Sequence, residues 1–213
     1  MKTIIYGKGD FAKLVLHYIK SNPKYEVVGF CADSAFVKSK KYLNYPLYDI
    51  DKVQDFIDTK EVKFFLAVGY SSMPAREAMF KKIYNKGFKL INIYCENTFI
   101  DDSAEIGVNN IFMPKVLIEP FSKLGDNNIF WSNALICHDV EIGNNNFFAS
   151  NTVIGGFSKI GNNNFFGFNS TVIDNITVGN NSIIGAMSLL LSNIDQPGKY
   201  LGIPAKALKQ ERI

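Results

Sequence analysis

Two histidines occur in the 213-residue chain, and their surroundings differ. His17 stands between Leu16 and Tyr18 inside a helical pattern, where a structural role suffices. His138 stands in Ile136-Cys137-His138-Asp139, two residues past a recurring apolar position, so its ring should project outside the core at a corner of the chain. A neutral imidazole, with its usual pKa of ~6.5, can take a proton from an amine or hydroxyl as that group attacks a thioester. Asp139 could hold the ring in one tautomer and stabilise the imidazolium, provided the corner lets adjacent side chains meet. Counting 18 residues on from His138 reaches Gly156, in the pair Gly155-Gly156. Amides without side chains suit an oxyanion, and they equally suit a plain turn.

Two other chemistries fit less well. A zinc site of the hydratase kind needs three histidines, and the repeat described below holds one. A Cys137–His138 thiol pair is disfavoured because neighbours in a strand point to opposite sides.

The element that must position His138 is a repeat. From Ile100 to Leu190 every sixth residue is apolar, and Gly107, Gly125, Gly143, Gly161 and Gly179 recur every 18 residues, followed by Asn109-Asn110, Asn127-Asn128, Asn145-Asn146, Asn163-Asn164 and Asn181-Ser182. The unit is an 18-residue coil with three corners, where Gly and Asn tolerate positive φ. One coil cannot bury its own inner face, so about five stack at ~4.8 Å per strand around the apolar column.

The first hundred residues have another rhythm. Strands are expected at Thr3–Tyr6, Tyr25–Cys31, Val62–Val68 and Leu90–Tyr94. Helices are expected from Asp10 as N-cap to Lys20, near Asp51–Asp58, and over Pro74–Asn85. Alternation of this kind predicts βαβ units on a parallel sheet, with ligands beyond the strand ends. There Gly7-Lys8-Gly9, Asp33 and Gly69-Tyr70 would gather, a phosphate lying at a helix N-terminus. Gly-x-Gly with Ala12 at the third position is an incomplete dinucleotide fingerprint, so a tight turn explains it equally well. Asp33 would read a ribose or base, or cap a loop. Tyr94 is in phase with the column, which sets the boundary between residues 1–94 and 95–213.

The net charge of +3 is scattered, and the Lys38-Ser39-Lys40-Lys41 cluster reads as a solvated loop, so nucleic acid is not expected as a partner. The start MKTIIYG predicts no signal peptide, and no apolar run reaches the ~18 residues of a membrane span. Three cysteines, Cys31, Cys95 and Cys137, without metal spacing predict a reduced cytoplasmic chain.

The hexad repeat, the His138-Asp139 pair and the closing Leu201-Gly202-Ile203-Pro204-Ala205-Lys206 together resemble the left-handed β-helix hexapeptide acyltransferases. The βαβ domain in front resembles their sialic acid O-acetyltransferase and nucleotide-amino-sugar N-acetyltransferase branch. That resemblance implies a Rossmann-like α/β domain over 1–94 binding a nucleotide sugar, then an all-β left-handed parallel β-helix over 95–213. It implies a homotrimer, acetyl-CoA as cosubstrate and no metal. His138 would be the general base, Asp139 its carboxylate partner, and Gly156 the amide facing the thioester oxygen. Gly155, Gly156, Gly185, Ala186 and the tail Gly202, Ile203, Pro204, Ala205 and Lys206 would line CoA. Family members often carry a second histidine near the thioester, where this chain has Phe147. Gly7, Lys8, Gly9, Asp33, Gly69 and Tyr70 would hold the nucleotide.

The expected reaction is direct acetyl transfer to the 4-amino group of a nucleotide-linked deoxy-amino-sugar, in bacterial surface-glycan synthesis. O-acetylation of a sugar such as sialic acid, or non-catalytic binding of a sugar nucleotide by a trimeric β-helix, are the alternatives. Phe147, Phe165, Trp131 and Phe168, lying off the column, are expected between subunits.

Overall fold

The computed structural model describes residues 1–20, 22–69 and 71–208. It separates into two compact units, the first Met1–Ile93 and the second starting at Tyr94.

The first unit is a five-stranded sheet, built from β1 (Lys2–Tyr6), β2 (Glu26–Ala32), β3 (Lys41–Tyr42), β4 (Tyr45–Asp49) and β5 (Lys63–Leu66). Its order is β3-β4-β2-β1-β5, parallel except for the β3–β4 hairpin. Two helices accompany it, α1 (Asp10–Ile19) and α2 (Met73–Asn85). The continuous apolar runs of β1 and β5 are what a sheet covered on both faces requires, and Ile4, Ile5, Phe64, Phe65 and Leu66 are fully buried.

Four expectations need correction: the strand expected at Leu90–Tyr94 is reduced to Ile93–Tyr94, with Leu90 making a single bridge to Phe64. Asp10 is the first helical residue and Gly9 is the N-cap, without a side-chain cap bond. The helix expected over Asp51–Asp58 is a turn followed by one 3-10 turn, Val53–Asp55. Its aspartates compete with the helix: Asp49 Oδ1 accepts from the Asp51 amide at 3.0 Å, and Asp58 Oδ1 from the Lys60 amide at 2.9 Å. The β3–β4 hairpin starts at Lys41, the last residue of the expected Lys38–Lys41 loop, and turns through left-handed Leu43 and Asn44.

The second unit is a parallel β-helix. Residues 18 apart pair in register, as in Leu117↔Leu135↔Val153↔Thr171 and Lys123↔Glu141↔Lys159. Three sheets result, and the column lies inside them: Phe112, Ile118, Phe130, Ile136, Phe148, Ile154, Phe166, Val172 and Ile184 are fully buried. Tyr94 joins the column, its ring stacked on Phe112 at 5.3 Å. Phe112, Phe130, Phe148 and Phe166 continue that stack with centroids 4.8–5.0 Å apart, so one ring sits on each coil at the strand spacing.

The corner chemistry divides labour differently from the sequence expectation. The left-handed residue at the asparagine-rich corner is asparagine, with φ 59 at Asn109, Asn127 and Asn145. The neighbouring glycines are needed for close stacking instead. A Cβ on Gly143 would lie 2.6 Å from Asn162 Oδ1 and 2.8 Å from Gly161 O. The asparagines interlock: Asn109 Nδ2 donates to Asn127 Oδ1 at 2.9 Å, and the buried Asn128 Nδ2 donates to Gly143 O at 2.9 Å. Buried amides stay satisfied by this ladder as the coils stack.

Candidate active site

His138 stands where the sequence placed it, at a corner one coil beyond Pro120-Phe121 and one coil before Gly156-Phe157. Backbone bonds Asp139 N–H to Pro120 O, 3.0 Å, and Phe157 N–H to His138 O, 3.2 Å, fix that stacking. Asp139 is left-handed, with φ 58. That conformation folds two consecutive side chains onto the same outer side, and His138 Nδ1 meets Asp139 Oδ2 at 3.0 Å. The His138 side chain remains half exposed. Its backbone amide donates to Glu119 Oε2 at 3.0 Å.

Gly156 lies against the free edge of the ring. A Cβ there would sit 3.0 Å from His138 Cε1 and 3.1 Å from Nε2, so a side chain at 156 would displace the imidazole. The amide expected to face the thioester oxygen has a partner on the next coil. Gly156 N–H already donates to Asp174 Oδ1 at 2.8 Å, as Val108 N–H does to Asp126 Oδ1 at another corner. The Gly155 amide is likewise taken, by Val172 O at 2.8 Å. The pair supplies space, while its donors serve the coil. Burial raises the Cys137 thiol above its usual pKa, and Glu119 and Asp174 push it further, which keeps it protonated.

Glu119, Asp174 and Phe157 were not identified from sequence. All lie at this corner, and the signal for them was the same count of 18 that found Gly156. Phe157 presents its ring edge-on to His138, centroids 5.0 Å apart at 85°.

Of the residues expected to line CoA, Gly155 and Gly156 lie at the His138 corner, and Gly185, Ala186 and the Gly202–Lys206 tail form a second cluster. Gly185 packs under the tail so closely that a Cβ would fall 2.1 Å from Leu201 Cδ2. Gly202, with φ 101, donates to Ser188 Oγ at 3.0 Å, and Ala205 N–H donates to Leu189 O at 2.7 Å. Leu201 then pairs antiparallel with Lys206, leaving Ile203 and Pro204 exposed at the turn and Ala186 exposed on the coil. This cluster lies on the coil corner that carries Phe168 and Met187, joined by a 2.8 Å backbone bond. The strands Leu135–Ile136, Val153–Ile154 and Thr171–Val172 run from that edge toward the His138 edge. Phe147 does not join either cluster. It is 3% exposed, with its ring stacked on Phe165 at 4.7 Å and tilted against Trp131. That burial also removes Phe147 from the expected intersubunit surface, whereas Phe168 is exposed.

In the first unit a cavity of about 380 Å³ opens at the strand ends, lined by Tyr6, Gly7-Lys8-Gly9, Asp33, Phe36 and Met79, among others. Gly7 has φ 133, and a Cβ there would be 2.5 Å from Ala67 O, so this loop does require its first glycine. Gly9 and Gly69 have open space around them. Lys8 Nζ donates to Phe36 O at 3.0 Å. Asp33 pairs with Lys82, whose ammonium it raises above the usual lysine pKa. Lys82 in turn reaches Asp51 at 3.5 Å, and Lys86 reaches it at 2.7 Å. Tyr70 lies outside the described residues. A groove of about 730 Å³ follows a different coil face where Lys123–Glu105 and Lys159–Glu141 pair at 3.1 Å, and it includes none of the expected residues. Among the described residues no helix is long and apolar enough to cross a membrane.

Comparison with known proteins agrees with this architecture. A family model described as the PglD N-terminal domain matches residues 2–83, and one described as bacterial transferase hexapeptide (six repeats) matches 121–156 and 157–192. No curated protein matches by sequence. Among solved structures, the acetyltransferase domain of PglB from Neisseria gonorrhoeae superposes with TM-score 0.85 at 22% identity, over 97% of this chain and 99% of that one. PerB from Caulobacter crescentus, in complex with CoA and GDP-perosamine, gives TM-score 0.85 at 22% identity over 98% of both chains. WeeI from Acinetobacter baumannii gives 0.81 at 18% identity, over 98% of this chain and 100% of that one. The two matches, in this order along the sequence, give the chain a PglD-type N-terminal domain followed by bacterial transferase hexapeptide repeats, on the fold of these acetyltransferase structures.

Proposed function

We propose that the chain transfers the acetyl group of acetyl-CoA to the 4-amino group of a nucleotide-linked deoxy-amino-sugar, in the cytoplasmic assembly of a bacterial surface glycan. The observation that carries this reading is the His138 corner: Nδ1 is occupied by Asp139 at 3.0 Å, and Nε2 faces the space that Gly156 leaves open. The neutral amine attacks the thioester carbonyl carbon while its N–H proton passes to Nε2. The C–S bond then breaks, and the leaving thiolate recovers the proton from the imidazolium. Asp139 stabilises the imidazolium between the two steps. Glu119 and Asp174 add negative charge that favours arrival of an ammonium group, which must shed one proton before attack. PerB, whose fold this chain shares, binds CoA and GDP-perosamine, a nucleotide amino sugar.

A homotrimer accounts for the separation of the two clusters. Adjacent corners are six residues apart, so one coil side spans at most roughly 20 Å. The His138 corner and the Ala186–Lys206 cluster therefore flank one face, whose outward residues include Phe99, Leu117, Leu135 and Val153. Packing of that apolar face on a second copy would place the tail of one subunit beside the His138 of the next. The cavity at Gly7, Asp33 and Met79 takes the nucleotide part of the acceptor.

Melting curves with acetyl-CoA, CoA, and UDP, dTDP and GDP test the reading, because ligands of the folded state raise Tm. Stabilisation by CoA and by one nucleotide is expected. Stabilisation by a nucleotide alone would favour a sugar-nucleotide-binding protein without transferase activity.

A further inference from the structure

Every sixth residue from Asn109 to Met187 is left-handed, one at each corner of the coil. Asparagine or aspartate fills most of these positions, because a short polar side chain relieves that conformation locally. The exceptions are Lys115, Phe121, Phe157 and Met187. Phe121 and Phe157 are consecutive exceptions in a single corner column, one coil before and one coil after Asp139. They are 63% and 53% exposed, so neither ring repays its backbone strain by packing in the core.

What Phe157 does touch is His138, edge-on at 5.0 Å. Since Nδ1 is held by Asp139, a group that gives its proton to Nε2 must approach over Gly156 and along the Phe157 ring. A thioester carbonyl has no such proton, whereas the acceptor amine has. Glu119 and Asp174 stand at the same corner and add polar acceptors beside the ring. A pyranose suits both features, with polar groups on its rim and a C–H face that lies flat on an aromatic ring.

We infer that Phe157, with Phe121 about two strand spacings away across the corner, reads the acceptor sugar: the rings contact its C–H face and favour a 6-deoxy sugar, with its methyl group, over a 6-hydroxylated one. This rests on the transferase reading above and adds the residues that set its specificity.

The test compares wild type with Phe157→Asn, Phe121→Asn and Phe157→Tyr. Acceptors are a nucleotide-linked 4-amino-4,6-dideoxyhexose and its 6-hydroxy counterpart, on the nucleotide carrier that wild type uses. The asparagine variants should melt about 2–4 °C higher, since asparagine is the usual residue at these corners. Their kcat/KM for the 6-deoxy acceptor should fall about tenfold or more, and the ratio between the two acceptors should collapse toward one. Phe157→Tyr should keep the ratio, and CoA affinity and oligomeric size should not change. An unchanged ratio in the asparagine variants, loss of CoA binding, or dissociation of the oligomer overturns the inference. So does a lower Tm with discrimination intact, which would assign the rings to the fold. If wild type acetylates neither acceptor, the transferase reading itself fails and takes this inference with it.

Discussion

His138 Nδ1 and Asp139 Oδ2 are 3.0 Å apart although the residues are consecutive in the chain. In an extended strand those side chains would diverge. The left-handed φ of 58 at Asp139 turns the corner between them and makes the pair. A base and its orienting carboxylate thus come from one dipeptide, held by backbone bonds to the coils on either side.

Asp139 accordingly has two duties, which substitutions separate. Asp139→Asn keeps a residue suited to left-handed backbone and removes the charge, so Tm should hold while kcat falls about tenfold or more. Asp139→Val should lower both, because a β-branched residue is strained at positive φ. Melting curves beside steady-state rates distinguish these outcomes.

Gly156→Ala should damage catalysis more than folding. The added Cβ would meet His138 Cε1 at 3.0 Å, the end of a side chain that can swing away, and no backbone atom closer than 3.4 Å. The expected result is a large loss of kcat with little change in Tm. A strong loss of Tm with normal turnover per folded molecule would contradict it.

The asparagine ladder should behave in the opposite way. Asn128→Ala removes a donor to Gly143 O and leaves the buried Asn146 amide without the Asn128 Oδ1 that accepts it at 2.8 Å. Leaving one such group unsatisfied costs about 1–3 kcal/mol. A drop in Tm of several degrees is expected, with kcat unchanged at temperatures where the protein is folded.

Acid should loosen the first unit through Asp51. Lys86, with Lys82 adding, holds its carboxyl below the usual carboxylate pKa. A carboxyl depressed in the folded state stabilises it fully above the unfolded value of about 3.9, and that contribution is lost as pH falls through the folded value. Wild-type Tm should therefore fall more steeply than that of Asp51→Asn between about pH 5 and about pH 2. Parallel slopes in the two proteins would contradict the assignment.

Much of the second unit was legible because its rule is local. One apolar residue in six points inward, and the column fills the core with few exceptions, of which the half-buried Ile100 and Ile106 lie in the first coil. His138 was legible for the same reason, as a polar ring placed out of phase with that column. The contacts of Glu119 and Asp174 were not, since they connect residues 19 and 18 apart across stacked coils and depend on which backbone amides the corner leaves free. Gly156 shows the limit most clearly. Its type and position were readable, but the use of its amide was decided by Asp174 on the next coil. In the first unit the β3–β4 hairpin escaped notice because its turn residues are Leu43 and Asn44, not a glycine pair, and each strand is short.

The central claim is that His138 removes the proton from an acceptor amine. The most direct test is the initial rate of CoA release and acetylated product, by mass spectrometry, with acetyl-CoA and a nucleotide-linked 4-amino sugar, for wild type and His138→Asn. Both proteins should bind CoA and melt alike, wild type should form one acetylated sugar per CoA released, and the variant should be slower by about 10²-fold or more. Equal rates in the two proteins, or no transfer by a wild type that binds both ligands, would contradict the account.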